Sequence, residues 1–395
     1  MQIIKSMDRR SFLLGTSGIL ISQIVIGCNN QNQSELKIQL LKGSIPGQVV
    51  NQFRQTLESN TKLDFVPINQ VSAAFKQLQM WQKPKKEDEE GWRQLIPFRQ
   101  NSQNSQSDLL TLGDFWLKAA IEQKLIQPLE TGEIKEWSQL NSKWQQLVRR
   151  NNQGNMDENG QVWAVPYRWG HTVIVYNREK LEKFDWQPTD WSDLWREELR
   201  SRISLLNHPR EVIGLVLKKL GKSYNTENIA TISSLETELK KLDQQVKFYD
   251  STTYLEPLII GDTWLAVGWS SDVIPILSRY PKLGAVIPSS GTAIWADLWV
   301  QPAGMKTANN LQYRWINFCL QPNIVQQIHQ FSQSNSPIPV SDVDVPKPLQ
   351  NLLSNNQDLL NKSEFLLPLS DSTNQQYEKL FSRLKGGDLS STPKE

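Results

Sequence analysis

Two tryptophans with an aspartate between them are the residues whose types and spacing first indicate chemistry. Trp295, Asp297 and Trp299 alternate along an apolar run, and a strand over residues 293–300 would place all three side chains on one face. A buried ionised carboxylate is costly without a partner, whereas indole faces attract positive charge and a carboxylate adds a charge-assisted hydrogen bond. The pattern predicts a binding site for a cation. A half-exposed strand whose tryptophans only pack is the alternative.

Alternating strands and helices elsewhere in the chain would position this segment. A strand over 36–41, a helix from Val49, a strand over 62–68 and a helix over 73–81 open an α/β unit with a parallel sheet. Further strands are predicted at 108–112, 202–206, 246–249, 263–268 and 285–287, and further helices at 115–125, 228–245, 313–320, 324–331 and 377–384.

Three local signals refine this order of elements. Residues 162–177 read as an apolar strand, a joint at Pro166 and Tyr167, and a second strand, which suits a crossover between lobes. Asp190 has the pattern of an N-cap, and a helix is predicted to start at Glu211.

Composition favours aromatic recognition and argues against other classes of function. The 395 residues include 15 Trp and only 3 His, which favours aromatic binding over metal or acid–base chemistry. Without the first 27 residues, 40 basic and 40 acidic residues remain, so the net charge is zero. Such a chain gives no electrostatic footprint for nucleic acid. Its length allows two domains with a substantial core.

The N-terminus reads as an export signal. Arg9 and Arg10 precede an apolar stretch over residues 12–27, in the twin-arginine pattern. That stretch is shorter than the roughly 20 apolar residues that a membrane span needs. Residues 1–27 are therefore predicted to be a signal peptide.

The signal peptide ends at a cysteine. Residues 25–28 (VIGC) resemble the lipobox of bacterial lipoproteins, which implies that Cys28 is lipidated and begins the mature chain. An uncleaved anchor with an incidental cysteine is the alternative. Residues 28–35 then form the lipidated cysteine and a polar tether. Cys319 would be the one remaining thiol, on the apolar face of a helix, and we expect it to be buried and structural.

The motifs of the common enzyme classes are missing from the mature sequence. It contains no Gly-x-Ser-x-Gly elbow, His-Glu-x-x-His pair, phosphate loop or dinucleotide glycine pattern. His208 and Glu211 are one possible hydrolytic pair, but no nucleophile accompanies them. The sequence therefore predicts no enzyme, no cofactor and no metal site.

Six stretches form an ordered set along the chain: residues 125–129 (LIQPL), 165–170 (VPYRWG), 190–195 (DWSDLW), 209–221, 295–297 (WAD) and 316–322 (INFCLQP). Taken together, they resemble the spermidine/putrescine-binding proteins of bacterial ABC importers, within the extracellular solute-binding proteins. The resemblance spans about residues 37–339 and rests on the ordered set rather than on any single motif.

The resemblance implies an α/β, two-lobe periplasmic-binding-protein fold, in which each lobe is a mixed sheet flanked by helices and the lobes close on a ligand by hinge motion. Residues 36–165 plus 296–336 would form lobe 1, and residues 166–295 plus 337–395 lobe 2. The crossovers would fall near 165–169, 291–297 and 336–339.

The resemblance also implies site residues. In the family, aromatic rings box the methylene chain of the polyamine, and carboxylates pair with its ammonium groups. Trp269, Trp295, Asp297 and Glu211 match this pattern, while Phe115 keeps the aromatic ring without the family's hydroxyl.

Other positions depart from the family pattern. His208 replaces the first acidic residue of its loop, residues 42–46 carry no aromatic, and Ser336 and Gly113 replace a tyrosine and a serine. One ammonium-binding half of the family pattern is thus kept and the other is altered, which favours a shorter or differently charged ligand. A cationic His208 below neutral pH would repel a second amine.

The sequence as a whole predicts a membrane-anchored, periplasmic solute-binding protein. It would capture a small polyamine-like cation, putrescine or spermidine, and deliver it to the permease and ATPase of an ABC importer. The alternative is a two-lobe lipoprotein with altered ligand specificity, or one that serves as a sensor or assembly factor.

Overall fold

The computed structural model describes residues 35–69, 71–82, 106–305, 310–339, 352–353 and 357–387. The predicted signal peptide and Cys28 therefore lie outside the described residues. None of the described helices is both long enough and apolar enough to cross a membrane.

The strands β1 to β13 are, in chain order, Glu35–Leu41, Lys62–Ile68, Leu109–Gly113, Ile126–Gln127, Arg149–Arg150, Gln161–Val162, Val165–Asn177, Ile203–Leu205, Val246–Tyr249, Leu265–Trp269, Leu283–Val286, Ala293–Pro302 and Glu364–Phe365. The helices are Gly47–Gln55, Val71–Gln82, Leu117–Glu122, Ser142–Val148, Arg178–Glu182, Pro209–Lys219, Leu235–Asp243, Glu256–Ile260, Ser270–Arg279, Leu311–Cys319, Pro322–Ser332, Gln357–Lys362 and Asp371–Lys385.

Most of these strands belong to one mixed sheet with the order β2-β1-β3-β12-β7-β10-β8-β9. At one end β1 pairs in parallel with β2 and β3, and at the other end β8 pairs in parallel with β9 and β10. Between these ends, β12 and β7 are antiparallel to each other and to their outer neighbours. Helices flank the sheet, so the mixed α/β class predicted from the sequence is confirmed.

Strand β7 passes through both halves of the sheet. All 13 of its residues are buried, as expected for a strand with neighbours on both edges and both faces. It pairs with β12 along its first half and with β10 and β11 along its second. The sequence predicted two strands over residues 162–177 with a joint at Pro166 and Tyr167. Two strands are present, β6 and β7, but the break between them lies at residues 163–164, so the predicted position of the joint is wrong.

The Pro166–Tyr167 segment forms an irregularity inside β7 instead. Pairing with β12 skips Tyr167, because Asp297 opposes Arg168 while Leu298 opposes Pro166. Proline has no N–H to give to a ladder, and the extra residue opposite a regular strand is a β-bulge. The joint predicted from the sequence is therefore a bulge that redirects side chains.

Buried apolar residues form three cores. The first core includes Phe53, Trp299 and Trp315 and packs on β1, β3 and β12. The second core includes Trp191, Tyr224 and Leu239, and the third includes Val273 and Ile274 beside β7 and β10. Cys319 is buried in the first core as a free thiol, which confirms its predicted structural role.

The structure corrects two helix predictions and confirms one cap. The helix expected at Glu211 begins two residues earlier, at Pro209, because proline is favoured at the first helical position and His208 caps it. The predicted helix over 228–245 is a short 3₁₀ turn followed by the helix Leu235–Asp243. Asp190 caps the turn Trp191–Trp195 in a reciprocal capping box with Asp193.

Candidate functional site

One face of the three central strands β12, β7 and β10 carries six residues in directly opposed pairs: Asp297 with Arg168, Trp295 with Gly170, and Trp269 with Thr172. Side chains in a strand alternate between faces, and directly paired residues share a face. Strand pairing alone therefore brings together three of the residues predicted from the sequence, and it adds Arg168.

Arg168 and Asp297 form a buried ion pair. The guanidinium Nε donates to Asp297 Oδ2 over 2.6 Å, and both side chains are only 6% exposed. The guanidinium also lies over the Trp295 ring, 5.6 Å from its centroid. Asp297 and Trp295 thus contact a cation of the chain itself, whereas the sequence predicted that they bind the cation of a ligand.

Burial and charge oppose each other within this pair. Burial raises the pKa of Asp297, and the charge and hydrogen bond of the adjacent guanidinium offset only part of that rise. Burial lowers the pKa of Arg168, but Asp297 and Tyr167 outweigh that effect, so the pKa of the guanidinium is raised overall. Each partner therefore favours the ionised form of the other.

Gly170 makes room for the Trp295 indole. A Cβ atom at Gly170 would lie 2.4 Å from Trp295 Cζ2 and 2.3 Å from the hydroxyl oxygen of Ser270. The indole Nε1 is buried and has no hydrogen-bond partner among the described residues. Only a glycine in the middle of this face lets the ring lie flat beside Arg168.

Trp299 does not belong to the site, although the sequence placed it on the same face as Trp295 and Asp297. Its ring is fully buried, stacks on Tyr167 at 4.3 Å between centroids, and meets the edge of Trp315 at 5.8 Å. The bulge at Tyr167 brings that phenol beneath the indole. Trp299 is a core residue, and the three-residue cation grip predicted from spacing is wrong at this position.

Glu211 lies at the other end of the face and is 4% exposed. It accepts hydrogen bonds from the Thr172 hydroxyl at 3.0 and 3.1 Å and from the Trp269 indole N–H at 3.0 Å. Burial raises the pKa of Glu211 to about 7, against the opposing effects of these bonds and of Arg210. Arg210 itself is held by the carbonyl of Leu367 and by Asn225.

His208 and Phe115 meet edge to face, with ring centroids 4.9 Å apart. His208 Nδ1 also accepts the backbone N–H of Glu211 at 3.4 Å. Burial, helped by Arg210, lowers the pKa of His208 to about 4. The expectation of a cationic histidine below neutral pH is therefore wrong, because the imidazole stays neutral well into the acidic range. Phe115 is 39% exposed.

Three charged residues near this face were not predicted from the sequence: Arg168, Asp114 and Asp272. Asp114 follows β3 and accepts the N–H of Ala296 at 2.9 Å, and burial raises its pKa to about 7. Asp272 is exposed near the start of the helix Ser270–Arg279 and accepts the Tyr254 hydroxyl at 2.9 Å. A charge inside a predicted buried strand requires a counter-charge, and that signal was available for Arg168.

The site thus combines three aromatic rings, two of them on the sheet face, with carboxyl groups near the carboxyl ends of β3, β8 and β10. In α/β sheets, ligands bind outside the carboxyl ends of strands. Within the described part of the chain, no group of three or more His, Cys, Asp or Glu residues could hold a metal ion. An open surface groove lined by Arg178, Glu182 and Trp186 shares no residue with this face.

Comparison with known proteins identifies the family. The sequence profile described as bacterial extracellular solute-binding protein matches residues 104–366, well over half of the chain. The spermidine/putrescine-binding periplasmic protein of Salmonella typhimurium is 25% identical over 286 residues, which cover 71% of this chain and 78% of that protein. The putrescine-binding periplasmic protein PotF of Escherichia coli is 28% identical over 236 residues, or 56% of this chain and 62% of that protein.

Solved structures show the same fold. The spermidine/putrescine ABC transporter substrate-binding protein PotD of Streptococcus pneumoniae superposes with a TM-score of 0.70 at 20% identity. The match covers 89% of this chain and 99% of that chain. The fold is thus the two-lobe one that the sequence predicted. The chain belongs to the bacterial extracellular solute-binding proteins, a family of binding proteins rather than enzymes.

Proposed function

We propose that this chain captures a small amine-bearing solute of the polyamine-like class and presents it to an ABC importer. The observation that carries the proposal is the buried Glu211 carboxyl group, with the aromatic rings of Trp269 and Phe115 close by. An amine bound beside Glu211 would favour its ionised form, since an opposite charge lowers a raised carboxyl pKa. Aromatic rings add attraction for the ammonium group.

The solute would lie in a cleft between two lobes. The predicted lobes, residues 36–165 plus 296–336 and residues 166–295 plus 337–395, place Phe115 and His208 on opposite sides of that cleft. The cores also change along β7, a few residues beyond the predicted boundary. Trp169 still packs in the first core, whereas Ile174 packs in the second.

The relatives support the class of solute. Their names state that they bind spermidine and putrescine, or putrescine. The family positions that this chain retains, Trp269, Trp295, Asp297 and Glu211, all lie at the face described above. Transport would require a permease and an ATPase as partners, and no nucleic acid.

We also propose that the mature protein is anchored in a membrane through lipid on Cys28 and works on the periplasmic side. The lipobox-like residues 25–28 and the polar tether after them carry this proposal. A Cys28→Ser chain should leave the membrane fraction for the soluble periplasmic fraction. Retention of that variant in the membrane would contradict the anchor.

Calorimetric titration of the purified full chain tests the solute class. Putrescine, spermidine, unbranched amino acids and simple anions would be compared at pH 7.5, with the wild type and Glu211→Gln. Loss of a charge-assisted contact should weaken amine binding by roughly 10-fold or more. Glu236→Gln is the matched control, because Glu236 pairs with Arg383 at the surface. Binding of no amine, or unchanged affinity in Glu211→Gln, would refute the proposal.

A further inference from the structure

The subsite around Asp297 is already neutralised. Asp297 would be the natural partner for one ammonium group of a diamine, but its Oδ2 atom accepts the Nε–H of Arg168 at 2.6 Å. Two opposite charges at this distance nearly cancel for a third charge that approaches them. An ammonium group brought to Asp297 would therefore gain little attraction and would also meet the guanidinium.

The same subsite offers unused donors. The Nε of the Arg168 guanidinium donates to Asp297, and the Tyr167 hydroxyl is a second hydrogen-bond partner of Arg168. These two bonds leave part of the five N–H groups of the guanidinium without a partner among the described residues. The Trp295 indole N–H beside it also lacks a partner in the described chain. A guanidinium presents its N–H groups as a planar fork that fits a carboxylate. The end of the face at Arg168 is therefore suited to an anionic oxygen.

The other end of the face, at Glu211, is suited to a cation rather than an anion. Glu211 is buried with no cation bonded to its carboxyl group among the described residues, and its two donors are the neutral groups of Thr172 and Trp269. Arg168 and Thr172 are four residues apart on β7, or about 13 Å along the strand. A solute that reaches both ends of the face would need a positive group at one end, toward Glu211, and a negative group at the other, toward Arg168.

We propose that Arg168 turns one amine subsite of this face into a carboxylate subsite, so that the solute is an ω-amino acid rather than a diamine. The ammonium group would lie toward Glu211, the carboxylate toward the Nη atoms of Arg168, and the methylene chain between Trp269 and Trp295. This inference rests on the proposed function, because it specifies the chemistry of the same site. Asp272 lies within the field of Arg168, but no hydrogen bond joins these two side chains in the described structure, and Asp272 accepts the Tyr254 hydroxyl instead.

The test compares matched pairs of solutes by calorimetric titration of the purified full chain. Unbranched ω-amino acids of four to six carbons are set against the diamines with the same number of carbons. We expect the wild type to bind at least one ω-amino acid more tightly than its matched diamine, by roughly 10-fold or more, the effect of one charged hydrogen-bonded contact. This comparison does not depend on the folding of any variant.

Two variants sharpen the result. Arg168→Leu should lose the preference for the ω-amino acid and gain affinity for the diamine, because Asp297 becomes available. Asp297→Asn keeps Arg168 and should retain the preference. Arg196→Leu is the control, since Arg196 also pairs with an aspartate through Nε but at the surface, where its side chain is 43% exposed. It should bind like the wild type.

The outcomes separate this inference from the proposed function. Wild-type binding of a diamine as tightly as, or more tightly than, its ω-amino acid would overturn the carboxylate subsite and leave an amine-binding protein standing. An Arg168→Leu variant that folds and keeps the wild-type preference would overturn it as well. Absence of binding for every amine, zwitterionic or not, would overturn both proposals.

Discussion

At the scale of single residues, the buried pair of Arg168 and Asp297 bears on stability as well as on the recognition that we propose. Removal of one partner leaves the other charge buried without compensation, which typically costs about 3–5 kcal/mol. We predict this loss in the free energy of unfolding for Arg168→Met and for Asp297→Leu, measured by urea denaturation. The double variant Arg168→Met/Asp297→Leu should lose less than either single variant, because no unpaired charge remains.

The double-mutant cycle also defines the result that would contradict this prediction. Additive losses in the double variant would mean that the two side chains do not interact energetically. Lys62 and Glu35 form the matched exposed pair, with side chains 63% and 51% exposed. The same cycle at that pair should return a much smaller coupling, because water screens charges that are exposed.

Glu211 makes stability depend on pH in an unusual direction. Burial raises the pKa of its carboxyl group from the ordinary 4.5 to about 7. Between these two values the folded chain keeps a proton that the unfolded chain releases, so the free energy of unfolding falls as pH rises through this window. By pH 8 the loss from this one group amounts to roughly 3 kcal/mol.

Glu211→Gln isolates this effect, because an amide of nearly the same size cannot ionise. We predict that the unfolding free energy of the wild type, minus that of Glu211→Gln, falls between pH 4.5 and 8 in urea titrations. The pKa of Asp114 is also raised to about 7 by burial. Its effect on the unfolding free energy is the same in the wild type and in Glu211→Gln, so it cancels in the difference between them. A constant difference across the window would mean that Glu211 is ionised throughout.

At this scale the sequence predicted which residue types matter better than it predicted their partners. Trp295, Asp297, Trp269 and Glu211 do lie on or beside one face of the sheet. Arg168 was missed because it stood in a run that was read only as apolar strand. No local pattern shows that residue 168 opposes residue 297, because register depends on long-range pairing and on the bulge at Tyr167.

At the scale of elements, the site requires a residue without a side chain, Gly170, in the middle of β7. A Cβ atom at Gly170 would lie within 2.4 Å of both Ser270 and Trp295. Overpacking of this kind typically costs about 1–3 kcal/mol. We predict that Gly170→Ala is destabilised by this amount and binds solute more weakly, because the Trp295 indole is displaced from Arg168.

Gly47→Ala is the matched control for Gly170→Ala. Gly47 lies at the start of the helix Gly47–Gln55, and a Cβ there would meet no atom within 4 Å. Alanine is also the better helix former, so this variant should be as stable as the wild type or slightly more stable. Equal stability and equal solute affinity of the two variants would show that Gly170 has no packing role.

Elements with a clear period were predicted well, and elements decided by tertiary contacts were not. Strand β2 occupies the predicted residues 62–68, since its β-branched and aromatic pattern has clear flanks. The helix Ser270–Arg279 was missed, because it follows strand β10 without a connecting loop and contains Pro275. Proline ordinarily ends a helix, and only the packing of Val273 and Ile274 in the third core shows that it is tolerated here.

At the scale of the whole molecule, the way β7 is shared among the cores determines how the described chain unfolds. Val165 and Trp169 pack in the first core, Ile174 and Tyr176 in the second, and Val175 in the third. No core can be exposed while the others keep an intact β7. The same strand also holds Arg168 and Thr172, so disruption of any core should disturb both ends of the proposed solute site.

We therefore predict a single unfolding transition in scanning calorimetry, even though larger chains with two lobes often unfold in steps. Phe53→Ala in the first core and Leu239→Ala in the second remove fully buried side chains and should each cost about 2–5 kcal/mol. Both should lower the melting temperature of that one transition. Two separate transitions, with each variant shifting only one of them, would mean that the lobes unfold independently and that β7 does not couple them.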